Sequence, residues 1–143
     1  MRFMFKLVIV VVAVLIVVYC VTGVWKFDPS KQGRDARAAI APGMTWTQVF
    51  DITDDPRTYR PIKKTTKRIQ GETIEFLEPG SENKFNRESF MDRLNENSLP
   101  YGFLCTFHYS NSVAFAVSFD GTGKVVGIQD AITMADLLQY DRD

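Results

Sequence analysis

The sequence predicts an α+β protein: a single N-terminal transmembrane helix, then a small two-layer domain of helices packed on an antiparallel three-stranded meander, with an inserted ββα segment. Three observations carry this reading. The stretch LVIVVVAVLIVVYCVTGVW, Leu7 to Trp25, contains no charge. The stretch APGMTWTQVFDIT, Ala41 to Thr53, holds a complete helix start. In YGFLCTFHYS and VAFAVSF, bulky apolar residues alternate at period two, as in half-buried strands.

A chain of 143 residues has room for one domain and one appendage. At about 1.5 Å per residue, a helix from Leu7 to Trp25 covers about 28 Å, close to the hydrocarbon thickness of a bilayer. Its valines disfavour a helix in water, but in lipid only a helix satisfies its own backbone. Trp25 and Tyr19 suit the polar boundary. A cleaved signal peptide predicts a shorter apolar core and an Ala-x-Ala site, which does not follow here. A lipoprotein needs small residues ahead of its acylated cysteine, whereas bulky Tyr19 precedes Cys20. The expectation is a retained tail and span over residues 1–25, contacting membrane lipid through residues 7–25. Arg2 and Lys6 before the run, and Lys26, Lys31, Arg34 and Arg37 after it, leave orientation open from charge alone.

Residues 26–40, KFDPSKQGRDARAAI, read as a tether that becomes helical around Arg34 to Ile40. Pro42 and Gly43 break the chain. Thr45 and Gln48 then form a capping box, with Met44 and Val49 at the positions of a hydrophobic staple. Trp46, Val49 and Phe50 make an apolar stripe at helical spacing. In the middle, IKKTTKRI and ETIEFLE pair as strands around Gln70-Gly71, and NRESFMDRL is a short helix capped by Asn86. Tyr101, Phe103, Cys105, Phe107 and Tyr109 share one strand face; Val113, Phe115, Val117 and Phe119 share another. A turn at Asp120-Gly121-Thr122-Gly123 leads into a third strand, KVVGIQ, and a last helix is expected over Thr133 to Tyr140. The sheet's aromatic face needs a cover, which the helix at Thr45 supplies.

The formal net charge is zero, and without Arg2 and Lys6 the remainder is mildly acidic, which argues against a general nucleic-acid binder. Catalytic signals are weak. Cys105 and His108 are three apart on a strand and face opposite ways, so they do not make a nucleophilic pair. A lone histidine makes a poor zinc site. Gly121 to Lys124, GTGK, lacks the frame of a phosphate-binding loop and reads as a turn. Asp51, Asp54 and Asp55 flank a helix end and read as solvated caps rather than a metal cluster. No catalytic, cofactor-binding or metal residue is assigned, and no cofactor is expected. The stretch RTYRPIKKTTKR carries Arg57, Arg60, Lys63, Lys64, Lys67 and Arg68 and no acid. Two readings stand: an edge strand guarded by its lysines, or a contact for anionic lipid or an acidic partner.

Two motifs, taken in order, carry a family resemblance. The first is Gly43, Met44 and Thr45 followed by Gln48 and Val49; the second is Phe119, Asp120, Gly123 and Val125. Together with YGFLCTFHYS they make about a third of the chain similar to the BamE family, also called SmpA/OmlA. Those are small bacterial envelope lipoproteins associated with outer-membrane β-barrel assembly. The resemblance implies helices on a three-stranded sheet over residues 41–143, with the soluble domain in the periplasm and the span in the bacterial inner membrane. The chain departs from the family in lacking a lipobox and in carrying residues 57–100 where the family has a short connection. Membership of the barrel-assembly machinery is therefore not implied. The expected function is a non-enzymatic, membrane-anchored interaction module that assembles or stabilises a larger bacterial envelope or membrane protein complex, its partners being other membrane or envelope proteins. The alternative is a lipid- or ligand-binding domain at the membrane surface that uses residues 57–68.

Overall fold

The computed structural model describes residues 2–21 and 28–131, and side chains in the first helix from Val8 to Cys20. In order the elements are α1 (Arg2–Val21), α2 (Pro29–Ala39), α3 (Trp46–Thr53), β1 (Thr58–Ile69), β2 (Glu72–Pro79), β3 (Asn83–Lys84), α4 (Arg87–Asn95), β4 (Phe103–Ser110), β5 (Val113–Phe119) and β6 (Val125–Asp130). The helix expected over Thr133 to Tyr140 lies outside the described residues.

All strand pairings among the described residues are antiparallel, in the order β2-β1-β4-β5-β6, and β3 continues the β2 side of β1. This corrects the expected three-stranded meander. Residues 57–100 are not set apart from the sheet: β1 pairs β4 from Thr58↔Thr106 to Pro61↔Phe103 and so belongs to it. The sequence could not show this, because a pairing across more than forty residues leaves no local trace and the basic half of β1 looks like an exposed hairpin.

The membrane span is also corrected. Among the described residues, no helix is long and apolar enough to cross a membrane. The helix α1 is described over Arg2–Val21, and its described side chains, Val8 to Cys20, are all exposed. Residues 22–25 of the expected span lie outside the described residues. The single-pass, inner-membrane placement with a periplasmic domain rested on that span and falls with it.

The stretch expected to become helical around Arg34 is helical from Pro29 onward. Asp28 caps α2 by accepting from the backbone N–H groups of Ser30 and Lys31, and Pro29 sits in the first turn, where its missing N–H costs nothing. The mixed charge of this stretch hid a narrow buried stripe of Gly33 and Ala36. At Gly33 the helix backbone comes so close to the sheet that a Cβ would lie 2.7 Å from both Tyr109 Cγ and Val113 Cγ1.

The aromatic core lies on one face of the sheet, and on the other Leu104, Ala114 and Ala116 are also buried. Cross-strand partners Tyr59↔Cys105, Phe103↔Phe119, Cys105↔Val117 and Phe107↔Phe115 put these side chains together, all buried. Three helices cover them. Gly33 of α2 rests on Tyr109; Phe50 of α3 meets Phe107 and Phe119 edge-on, with centroids 6.1 and 6.5 Å apart; Phe90 of α4 meets Tyr59 at 5.3 Å and Phe103 at 5.0 Å. Edge-to-face aromatic pairs at such distances add about 0.5–1.5 kcal/mol each beyond their burial. Phe90 is fully buried, so α4 is the plug that closes this aromatic cluster.

The two motifs of the family resemblance meet in space. Thr45 caps α3 by accepting from Gln48 N–H, while the Gln48 side chain accepts from Thr45 N–H at 2.9 Å. The chain just before the cap is hydrogen-bonded to the β5–β6 turn: Gly43 N–H donates to Val125 O, Val125 N–H to Met44 O, and Trp46 N–H to Gly123 O, all within 2.9 Å. Inside that turn Asp120 Oδ1 accepts from Thr122 N–H, Thr122 Oγ1 and Lys124 N–H. The Thr122 hydroxyl and the Lys124 N–H hold the Asp120 carboxyl below its ordinary range. Gly123 has φ +78°, and a Cβ there would lie 2.7 Å from Trp46 Cδ1. Gly43, Met44, Thr45, Gln48, Val49, Phe119, Asp120 and Gly123 therefore form a backbone junction that sets the helix on the sheet.

Candidate interaction surface

Beyond Pro61 the sheet narrows to a two-stranded ribbon. Among the described residues, Lys63 to Ile69 of β1 pair only with β2, in a β1–β2 register that runs from Ile62↔Pro79 to Ile69↔Glu72. The ribbon closes through Gln70 (φ +51°) and Gly71 (φ +87°), the two successive left-handed residues of a tight hairpin turn whose twist matches the strands. Little of it is buried: Ile69, Ile74 and Leu77 are 50%, 43% and 58% exposed.

The six basic residues singled out in the sequence divide between the root of β1 and the ribbon. Arg57 lies just before β1 with an exposed side chain; its backbone N–H donates to Thr106 O, and its carbonyl accepts from Phe85 N–H. Arg60 is 3.9 Å from Glu82. Lys64 pairs with Glu75, which raises the lysine's pKa through a hydrogen bond and charge attraction. Lys67 Nζ stands 4.9 Å from the centroid of the Phe76 ring, a cation–π contact. Lys63 and Arg68 are exposed, with no ion pair among the described residues. Alternation places Lys63 and Lys67 on one face of the strand, and Lys64 and Arg68 on the other. Both faces of the outer half of β1 are thus basic, while β2 carries Glu72, Glu75 and Glu78.

A cleft of about 790 Å³ lies at the root of the ribbon, between Ile62, Lys63 and Lys64 on one side and Arg93, Pro100 and Tyr101 on the other. With φ +94° and no room for a Cβ against the Phe119 carbonyl oxygen, Gly102 turns the chain into β4 at a point where only Gly can stand. The sequence did not single out Arg93 or Tyr101 for this surface. By its alternation Tyr101 belongs to an aromatic strand face, yet it stands exposed ahead of β4.

The groups weighed for chemistry are engaged elsewhere. Cys105 is fully buried, and burial pushes its thiol far above the usual range. His108 is exposed on the other face; partial burial, then the Arg57 charge, lowers its pKa. Asp55 receives Arg87 through both Nε and Nη2, at 3.1 and 2.6 Å, and Asp54 occupies the end of α3 at φ +63°. No group of three His, Cys, Asp or Glu residues that could hold a metal ion occurs among the described residues.

The fold and surface define a small helix-covered sheet from which a basic β-ribbon projects. No known protein family, curated protein or solved structure matches the chain.

Proposed function

We propose that the protein is a non-enzymatic interaction module that acts by holding a partner protein within a larger assembly. The observation that carries this reading is the ribbon of residues 62–79. It extends past the aromatic core and exposes its apolar side chains. Its inner strand is basic on both faces. A two-stranded ribbon without a packed face is marginal in water by itself, so covering its surface would stabilise it. The resemblance of the Gly43–Val49 and Phe119–Val125 motifs to envelope-assembly proteins supports an assembly role. The buried, protonated Cys105 and the solvent-side His108 fit a chain that performs no acid–base or nucleophilic step.

The test is photo-cross-linking in the native cell, with a benzophenone amino acid placed at Lys67 on the ribbon and, as a control, at the exposed Asp35 of α2. A discrete adduct from position 67 and none from position 35 is expected. A chain that forms no adduct from either position and runs as a monomer at micromolar concentration overturns the proposal.

A further inference from the structure

Among the described residues the ribbon has an open backbone edge, and its direction can be read from the hydrogen bonds at its root. Ile62 N–H donates to Gly102 O on the β4 side, whereas Pro61 O accepts from Gly80 N–H on the β2 side. Main-chain groups alternate sides along a strand. Lys64, Thr66 and Arg68 therefore point their N–H and C=O groups toward the β4 side, while Lys63, Thr65, Lys67 and Ile69 turn theirs to β2. The strand β4 starts at Phe103 opposite Pro61, so it offers no partner to Lys64, Thr66 or Arg68. The cleft lined by Ile62, Lys63, Lys64 and Tyr101 opens beside the inner end of this edge.

We propose that this edge takes an extended acidic segment of a partner protein as an added strand, laid against residues 64–68 of β1. This rests on the interaction-module reading above and names its site and its ligand chemistry. Charge decides the occupant. A strand added here lies about 4.8 Å from β1 and about twice that from β2, so the nearer charges are Lys63, Lys64, Lys67 and Arg68, with Glu72, Glu75 and Glu78 one strand further away. Acidic side chains on either face of the incoming strand meet a basic neighbour. The same charges oppose a symmetric pairing of this edge with its counterpart in a second copy, which would set lysine against lysine.

Strand addition leaves a signature that side-chain attraction does not. The probe is a fluorescein-labelled peptide, Gly-Glu-Val-Glu-Thr-Glu-Val-Gly, compared with its Glu-to-Lys counterpart. In the full chain, amide hydrogen exchange with the acidic peptide bound slows at Lys64, Thr66 and Arg68 and is unchanged at Lys63, Thr65 and Lys67. The variant Thr66→Pro removes one outward N–H and no β1–β2 hydrogen bond, so the hairpin persists, yet affinity falls about tenfold or more. Lys67→Glu with Arg68→Glu weakens binding by a similar factor, and the Lys peptide does not bind.

Several outcomes overturn the proposal: equal binding of both peptides, no alternating protection in the wild-type chain, or unchanged affinity for a Thr66→Pro chain. Co-sedimentation with phosphatidylserine vesicles that Thr66→Pro leaves intact overturns it in favour of a lipid surface. Concentration-dependent self-association abolished by Thr66→Pro overturns it in favour of a second copy. If these tests fail while position 67 still cross-links to a partner, strand addition falls alone; if cross-linking also fails, both readings fall.

Discussion

Replacing Gly123 by Ala tests whether the junction between the α3 cap and the β5–β6 turn holds the domain together. Two costs add. An L-residue at φ +78° pays about 1–2 kcal/mol for the left-handed conformation. The new methyl group must also displace the Trp46 ring, 2.7 Å away, and overpacking of this kind costs about 1–3 kcal/mol. The restricted unfolded chain returns about 0.4–1 kcal/mol. The net destabilisation is about 3 kcal/mol, which lowers a urea midpoint by about 1–3 M for a small domain. The two costs separate in a double-mutant cycle. With Trp46→Val as background the ring is gone, so Gly123→Ala costs only about 1 kcal/mol and the coupling is about 2 kcal/mol. Urea unfolding followed by far-ultraviolet circular dichroism, with the same slope in all four chains, measures it. Equal costs in both backgrounds, or a loss under about 0.5 kcal/mol in the first, would refute the packing argument.

Other consequences can be measured in the same way. Gly33→Ala would strengthen a solvent-facing helix by up to about 1 kcal/mol, but here the methyl meets Tyr109 and Val113, so the sign reverses and the domain loses about 1–3 kcal/mol in urea unfolding. Asp120 has a folded pKa below its ordinary 3.8, so it contributes stability at pH values above 3.8 that is lost as pH falls through the folded value. The melting temperature of the wild-type chain should therefore drop more steeply below about pH 4 than that of Asp120→Ala. In a Cys20→Ser background, Cys105 should not react with a thiol reagent at pH 8 until denaturant is added, because burial keeps it protonated and covered; reaction in the native state would contradict this.

Local signals in the sequence were read well, and pairings between distant segments were not. The capping box at Thr45 and Gln48 and the alternation in β4 and β5 depend on residues a few positions apart, and each stands in the structure where the pattern put it. The hairpin at Gln70-Gly71 was likewise legible from its turn. The joining of β1 to β4 was not, since the four paired residues Thr58 to Pro61 include a proline and an arginine and carry no strand pattern of their own. The first turns of helix α2 were missed because its mixed charge reads as a tether, although Pro29 is a first-turn residue behind an aspartate cap. The apolar run from Leu7 was read by composition, and among the described residues no helix is long and apolar enough to bear that reading out. Of the candidate surface, the six basic residues were visible as a charge run. The open edge they flank depends on Gly102 turning the chain, and φ +94° at one glycine leaves no mark in a pattern of hydropathy.

One strand, β1, serves two regimes of cooperativity. Tyr59 is locked among aromatic rings and can exchange its amide only when the whole domain opens, whereas four turns of the pleat later Lys67 needs no more than fraying of the hairpin tip. A visitor captured at that tip would therefore be felt first as slower fraying, would raise the melting of the domain only by the linkage of its own binding, and could depart without the domain ever coming apart.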